Sequence, residues 1–193
     1  MEALQTIAMV LAELLAGGGV PASARLLGKE VTILEASTLP LARALGTKMG
    51  EVCAAIHREH GVDLRLSCHV REFRGAGRIE EVVLADGSRL QCDLAVVGVG
   101  VTPAVGWLEG SGVALDNGVL VNEYCETNLP DVYAAGDVAN AWNPLLGERL
   151  RVEHFDNAQN QGTAAGKVMA GGREPYAPIP YFCSDQYEHT MKY

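Results

Sequence analysis

What the sequence lacks narrows the field before any motif is read. It has no surplus of positive charge: 15 Lys and Arg stand against 24 Asp and Glu, a formal net charge of −9. Such a balance gives no sequence-wide attraction to nucleic acid or to an anionic membrane, so neither is expected as a partner. No apolar run reaches the roughly 18 residues of a membrane helix. The start, Met1 to Ala16, is apolar, but it has no basic opening and is interrupted by Glu2 and Glu13, which argues against a secretory signal. Paired cysteines are missing too. Cys53, Cys68, Cys92, Cys125 and Cys183 are odd in number, widely spaced and form no C-x-x-C. That spacing suggests neither a zinc ribbon nor a dithiol redox centre, and points to free thiols in a reducing, cytoplasmic setting. His57, Glu59 and His60 do not have the H-E-x-x-H spacing and read as a solvated helix end. No nucleophile elbow or Ser-His-Asp order is evident, so no metal ligand and no acid–base catalyst is named.

What is present is the composition of a globular protein. In 193 residues, 48% hydrophobic and 20% charged, there is room for a real core and for one or two domains. Leu4, Ile7, Ala8, Leu11, Leu14 and Leu15 recur at helical spacing and predict an amphipathic helix, stopped by Gly17-Gly18-Gly19. A short helical piece from Val20 to Gly28 leads to a strand at Val31–Leu34 and then Glu35. A second helix is expected from Leu45 to His60, with Leu45, Met49, Val52, Cys53 and Ile56 on one face and Gly61 as its cap. Strands follow at Asp63–Ser67, Val70–Phe73, Arg78–Leu84 and Arg89–Cys92, the last two flanking the hairpin signal Asp86-Gly87. Leu94–Val97 is a continuous apolar run, suited to a strand buried on both faces. Beyond it come a helix near Ala104–Gly110, strands at Val119–Val121 and Val132–Ala135, and a last helix from Asn157 to Ala170. Asp156 is its expected N-cap and Gly171 its C-cap.

Four places could carry chemistry. Asp131-Val132-Tyr133-Ala134-Ala135-Gly136-Asp137-Val138-Ala139 reads as a short strand that stops at Gly136 and presents Asp137 just beyond its end. Ligands of open parallel sheets sit outside the carboxyl ends of the strands, although a plain Gly-Asp turn would look the same. Gly17 to Ala22 formally fits the G-x-G-x-x-(G/A) loop that admits a pyrophosphate to a helix N-terminus. The expected helix before it, where the motif needs a strand, makes this match an accident. Gly98 and Gly100 end a strand with two glycines, which admits either a ligand or a simple turn. Glu35 is either a ribose-binding acid or an exposed strand-end glutamate.

Taken together, these stretches resemble the FAD-dependent pyridine nucleotide-disulfide oxidoreductase superfamily, most closely its ferredoxin and rubredoxin reductase or apoptosis-inducing-factor-like branch. Asp131 to Ala139 looks like the second FAD motif, Ala22 to Glu35 like the end of the NAD-site helix and the second strand. Arg151 to Gly162 and Pro180 to Tyr187 also match. The resemblance implies an α/β fold: a fragment of a flavoprotein with two dinucleotide-binding domains, Rossmann-like parallel sheets and a β-meander. It implies an NAD(P)-binding domain over residues 1–103 whose first strand and glycine loop are missing, the second half of an FAD-binding domain over 104–176, and the start of a small C-terminal domain over 177–193. A sheet without its central strand would expose apolar edges and self-associate.

The same resemblance implies FAD and NAD(H) as cofactors and a ferredoxin- or rubredoxin-like protein as electron acceptor. Gly136 and Asp137 would hold the flavin ribityl chain. His154 and Phe155 would open a helix aimed at the flavin pyrimidine edge, unless Phe155 is simply a core residue of a capped helix. Glu35 would bind the adenosine ribose, favouring NAD over NADP, and Gly98 and Gly100 would face the nicotinamide. Two departures stand out: Phe155 where many relatives have Trp, and Cys183 where an aromatic is usual. The rival expectation is a non-enzymatic remnant that binds one nucleotide or none.

Overall fold

The computed structural model describes residues 5–11 and 19–192, in two compact units. One unit comprises residues 1–100 with 183–193, the other residues 101–182.

The first unit is built on a strand that the sequence pattern disguises. β1 (Thr6–Leu11) is followed by α1 (Gly19–Leu26), β2 (Glu30–Glu35), α2 (Ala42–Glu59) and β3 (Asp63–Arg65). Next come β4 (Val70–Arg74), β5 (Glu81–Leu84), β6 (Arg89–Gln91) and β7 (Leu94–Gly98). Strands β3, β2, β1 and β7 form one parallel sheet in that order. The helix expected over the start of the chain is therefore corrected to a strand at Thr6–Leu11, and the strand taken as missing is present at the centre of the sheet. The physical reason is that a strand covered on both faces needs no alternation, so its apolar run also fits a helical period. The self-association inferred from an absent centre loses that ground. Leu4, Leu14, Leu15, Gly17 and Gly18 lie outside the described residues.

Alternation along the strands sends neighbours to opposite faces. On one face Ile7 and Ile33 pack with Ala24 of α1, Leu41 and Cys53. On the other, Ala8 and Leu34 pack with Val82, Leu84 and Cys92 from the antiparallel meander β4-β5-β6. The carboxylate of Asp93, just before β7, accepts the N–H groups of Gln5 (3.0 Å) and Thr6 (2.9 Å) and so fixes where β1 begins. These N–H donors hold the Asp93 carboxyl below its ordinary range.

Two expectations about burial are revised. β7 is an edge strand, and Leu94 and Val97 are exposed rather than covered on both faces. On α2, which is interrupted by non-helical geometry at Gly46, Cys53 and Ile56 are buried but Met49 and Val52 are exposed. The buried face includes His57, at 0% exposure, which corrects its reading as part of a solvated helix end.

The second unit holds β8 (Val119–Val121), β9 (Ala139–Asn143), β10 (Glu148–Leu150) and α3 (Phe155–Met169). β8 pairs parallel with β9, and β10 pairs antiparallel on the other side of β9. The helix expected near Ala104–Gly110 is a single 3-10 turn at Gly106–Leu108. The strand expected at Val132–Ala135 is reduced to one antiparallel bridge between Tyr133 and Glu126. Its composition suits a strand, but a strand is defined by pairing, and here pairing stops at that bridge. Finally β11 (Cys183–Gln186) and β12 (His189–Lys192) form an antiparallel hairpin that belongs to the first unit, where Met191 joins the Ile33 side of the core.

If the core has two separate faces, Leu34→Ala should destabilise the first unit by about 2–5 kcal/mol, the range for emptying a buried leucine site. Urea unfolding of wild type and variant measures this, and a loss below about 1 kcal/mol would contradict the packing described.

Candidate functional site

The parallel sheet brings three residues to one edge. The register pairs Leu11 of β1 with Glu35 of β2 on one side and with Gly98 of β7 on the other. All three stand at the carboxyl ends of their strands, where open α/β sheets take their ligands. Glu35 is not an exposed strand-end glutamate: its side chain is fully buried, and Oε1 accepts the N–H of Ser37 at 2.8 Å. Its carbonyl accepts the N–H of Cys68 at 2.9 Å, tying the strand end to the start of the meander. Gly100, two residues past Gly98, has φ +89, and open space surrounds the place a Cβ would take.

β1 precedes the Gly17 to Ala22 motif and α1 opens within it at Gly19, the strand-then-helix order that the motif requires. This overturns the reason given for calling it accidental.

In the second unit the Gly136-Asp137 stretch forms a 3-10 turn, Gly136–Val138, entered from extended backbone at Ala135. Gly136 is buried with φ +79, a conformation that costs a residue with a Cβ about 1–2 kcal/mol. Its N–H donates to Oε1 of Gln161 on α3 at 2.8 Å. Gln161 is 2% exposed and is itself held: Asn157 Nδ2 donates to the same Oε1 at 3.4 Å, and to the carbonyl of Val152 at 3.1 Å. Tyr176 completes the chain, its hydroxyl donating to Asn157 Oδ1 at 3.1 Å. The Asp137 side chain is left exposed, while its carbonyl accepts from Arg151 Nη1 at 3.3 Å.

α3 begins two residues earlier than expected. The N-cap is His154, in extended geometry, and its Nδ1 accepts the N–H of Asp156 at 3.3 Å. Asp156, the expected cap, is inside the first turn, where its negative charge complements the helix dipole. Phe155 is 70% exposed, so it is not a core residue. The His154 ring lies 4.5 Å from Phe155 and 5.7 Å from Phe182 between centroids, an aromatic group at the start of the helix.

The structure thus gathers Glu35 and Gly98 in one unit, and Gly136, Asp137, His154 and Phe155 in the other. Gln161, Asn157 and Tyr176 were not anticipated. The one signal for them was the i, i+4 pair Asn157/Gln161 on the face of α3 that also buries Ala165 and Val168. Among the described residues no group of three or more His, Cys, Asp or Glu is placed to hold a metal, and no helix is long and apolar enough to cross a membrane. All five cysteines are free, and burial pushes the Cys125 thiol up to about 11.

The family model for pyridine nucleotide-disulphide oxidoreductases matches residues 7–162. The chain is 42% identical over 169 residues to the 5,5'-dehydrodivanillate O-demethylase ferredoxin reductase subunit of Sphingobium sp., covering 86% of this chain and 41% of that protein. It is 36% identical over 181 residues to the anthranilate 1,2-dioxygenase system ferredoxin–NAD(+) reductase component of Burkholderia cepacia, covering 91% and 45%. Among solved structures, a ferredoxin reductase from Rhodopseudomonas palustris superposes with a TM-score of 0.91 at 30% identity, over 98% of this chain and 47% of that one. The covalent putidaredoxin reductase–putidaredoxin complex gives 0.91 at 29%, over 97% and 46%. The chain spans less than half the length of each of these proteins.

Gln161→Leu should leave the buried Gly136 N–H unpaired and cost about 1–3 kcal/mol. Hydrogen exchange at the Gly136 amide reads the effect directly: protection should fall about tenfold or more, and an unchanged rate would show that Gln161 does not hold the turn.

Proposed function

We propose that this chain, which belongs to the pyridine nucleotide-disulphide oxidoreductase family, supplies the NADH side and half of the flavin site of an FAD-dependent NAD(P)H oxidoreductase. Its electrons go to a ferredoxin- or rubredoxin-type protein, as the names of its relatives suggest. In this reading residues 1–103 bind the pyridine nucleotide, 104–176 form the second half of the flavin domain, and 177–193 open a small C-terminal domain. A cytoplasmic setting is part of the proposal.

One observation carries the reading: the Gly136-Asp137 turn is bonded to α3 by Gln161 and leaves the Asp137 carboxylate facing outward. An exposed carboxylate on a pinned turn fits a polyol chain, whose hydroxyls donate to it. The start of α3, with Phe155 uncovered, fits the pyrimidine edge of a flavin, since the partial positive charge of a helix N-terminus favours negative charge there. In the other unit, Glu35 would accept from an adenosine ribose and so favour NAD over NADP. Gly98 and Gly100 would face the nicotinamide, and the open space around Gly100 leaves the backbone there free for its close approach. When bound, FAD and NADH supply the redox chemistry, hydride transfer from nicotinamide C4 to flavin N5 followed by single-electron delivery. The protein groups named here bind and orient, and none is assigned a proton.

A second reading, a remnant that binds one nucleotide or none, is favoured by exposed apolar side chains in the second unit. Trp107 is 80% exposed and Ile179 75%. Surface of this kind is normally covered by a partner segment or ligand.

The purified chain should not retain stoichiometric FAD, and a flavin visible spectrum at a one-to-one ratio would overturn that expectation. A chimaera in which this chain replaces the segment it matches in the full-length Sphingobium relative should retain FAD and reduce a dye with NADH. In that chimaera Asp137→Ala should weaken FAD retention at least tenfold, the effect of losing about 1.4 kcal/mol of charged hydrogen bonding. A flavin-loaded chimaera that does not oxidise NADH would sink the oxidoreductase reading.

A further inference from the structure

The hairpin β11–β12 is held on α2 by a cluster of histidines that the proposed function does not use. Tyr187, at the tip of the hairpin, lies between two of them. Its hydroxyl is 3.1 Å from His57 Nδ1, and its ring stacks on His60 with centroids 3.6 Å apart and planes within 13°. His60 is engaged at both nitrogens: Nδ1 lies 2.8 Å from the carbonyl of Ile56, and Nε2 lies 3.1 Å from Glu188 Oε2. Both partners are acceptors, so the doubly protonated ring satisfies both contacts. Glu188 also meets His189 Nε2 at 3.3 Å. Behind the stack, Arg25 of α1 donates to the carbonyls of His60 and Lys29. Deeper in, the Cys53 thiol contacts Met191 at 3.6 Å.

The neighbouring histidine, one turn earlier, is in the opposite situation. His57 is fully buried, and among the described residues its Nε2 has no hydrogen-bond partner. Whichever tautomer is present when neutral, the protonated ring carries an N–H at Nε2, and nothing there accepts it. Tyr187 from the hairpin meets the ring and His60 on α2 acts on it, while Arg25 on α1 and Glu188 and His189 on the hairpin surround Tyr187 and His60. The neighbouring charge that acts on it most is that of His60, which is of the same sign. A proton on His57 therefore has no acceptor and a repulsive neighbour, and the way to solvate it is to lift Tyr187 and the hairpin away.

We propose that the hairpin is a proton-gated latch, docked on α2 while His57 is neutral and His60 is paired with Glu188, and released when His57 takes up a proton. The gate lies at His57, which shares Tyr187 with His60 and has no acceptor in place for the N–H that a second proton would put on Nε2.

The direction of the pH effect follows from linkage. Burial, and secondarily the charge of His60, lower the pKa of His57 from 6.5 to about 4. The released state binds the proton more tightly, so docking is fully favoured above about pH 6.5. It weakens roughly tenfold per pH unit on the way down to about 4, a total of roughly 300-fold.

NMR of the full chain between pH 7.5 and 4 tests this, following the His57 ring, the amides of Gln186 to Thr190, and the Ile33 amide as a marker of the core. The expected result is that the hairpin amides shift together with the His57 titration while Ile33 does not move. In His57→Gln, which keeps a partner for Tyr187 but cannot charge, the hairpin should stay docked across the same range; Glu188→Gln should retain the step set by His57. Titration of His57 with the hairpin amides unmoved would overturn the latch. So would hairpin and Ile33 amides moving as one, which is global acid unfolding, or the same pH profile in His57→Gln. If His57→Gln fails to fold, coincidence of the wild-type ring and hairpin midpoints decides the matter alone.

Discussion

The placing of β1 between β2 and β7 is the constraint on which the first unit depends. A parallel strand at the centre of a sheet has no solvent-facing side, so both of its faces must be covered. Ile7 and Ala8 meet that demand in opposite directions, one towards the helices and one towards the meander. The same pairing sets the register, and the register decides what stands at the carboxyl edge. A slip of one residue would exchange the two faces and would also separate Glu35, Leu11 and Gly98, which now stand side by side. Stability and site geometry are one property of this strand. The carboxylate of Asp93, binding the first two N–H groups of the segment, guards the register from the other end.

The second unit solves a comparable problem with a side chain instead of a strand. Its turn at Gly136 leaves a buried backbone N–H with no ladder to join, and a buried donor without a partner is costly. Gln161 supplies the acceptor and is in turn fixed by Asn157 and Tyr176. The consequence is positional: Asp137 follows Gly136 directly, so its carboxylate is presented from a turn that α3 holds in place. His154 caps the same helix through its ring, leaving the adjoining Phe155 outside.

Local chemistry was legible from the residues, and pairing was not. The turn at Asp86-Gly87, the helix stop at Gly61 and the break after α3 at Gly171 each rest on a glycine with positive φ, a requirement that one residue type announces. The strands of the meander and the run Val119–Val121 were readable for a similar reason, being short, β-rich and bounded by turn residues. β1 failed because Ile7–Leu11 is a continuous apolar run, and only its neighbours in the sheet decide between helix and strand. Val132–Ala135 failed in the other direction, a strand-like run without a ladder. The family resemblance pointed to Asp137, Glu35 and the two glycines as candidates, but could not show that Glu35 is buried or that Gln161 holds the Gly136 turn.

His57 shows most clearly what a linear pattern leaves out. From its position near the end of a helix, beside Arg58 and Glu59, it belongs among solvated residues. The hairpin that buries it comes from more than a hundred residues later in the chain: Tyr187 is separated from His57 by 130 positions. Burial by a distant segment changes the chemistry of the residue as well as its environment. Desolvation disfavours the charged ring, and His60 one turn away, which the same hairpin contacts through Glu188, disfavours it further. One docking event thus disfavours the charged form of His57 while leaving the ring of its neighbour His60 engaged by Glu188. By linkage, anything that changes the protonation of His57 must act back on the docking, so the contact and its sensitivity to protons are inseparable.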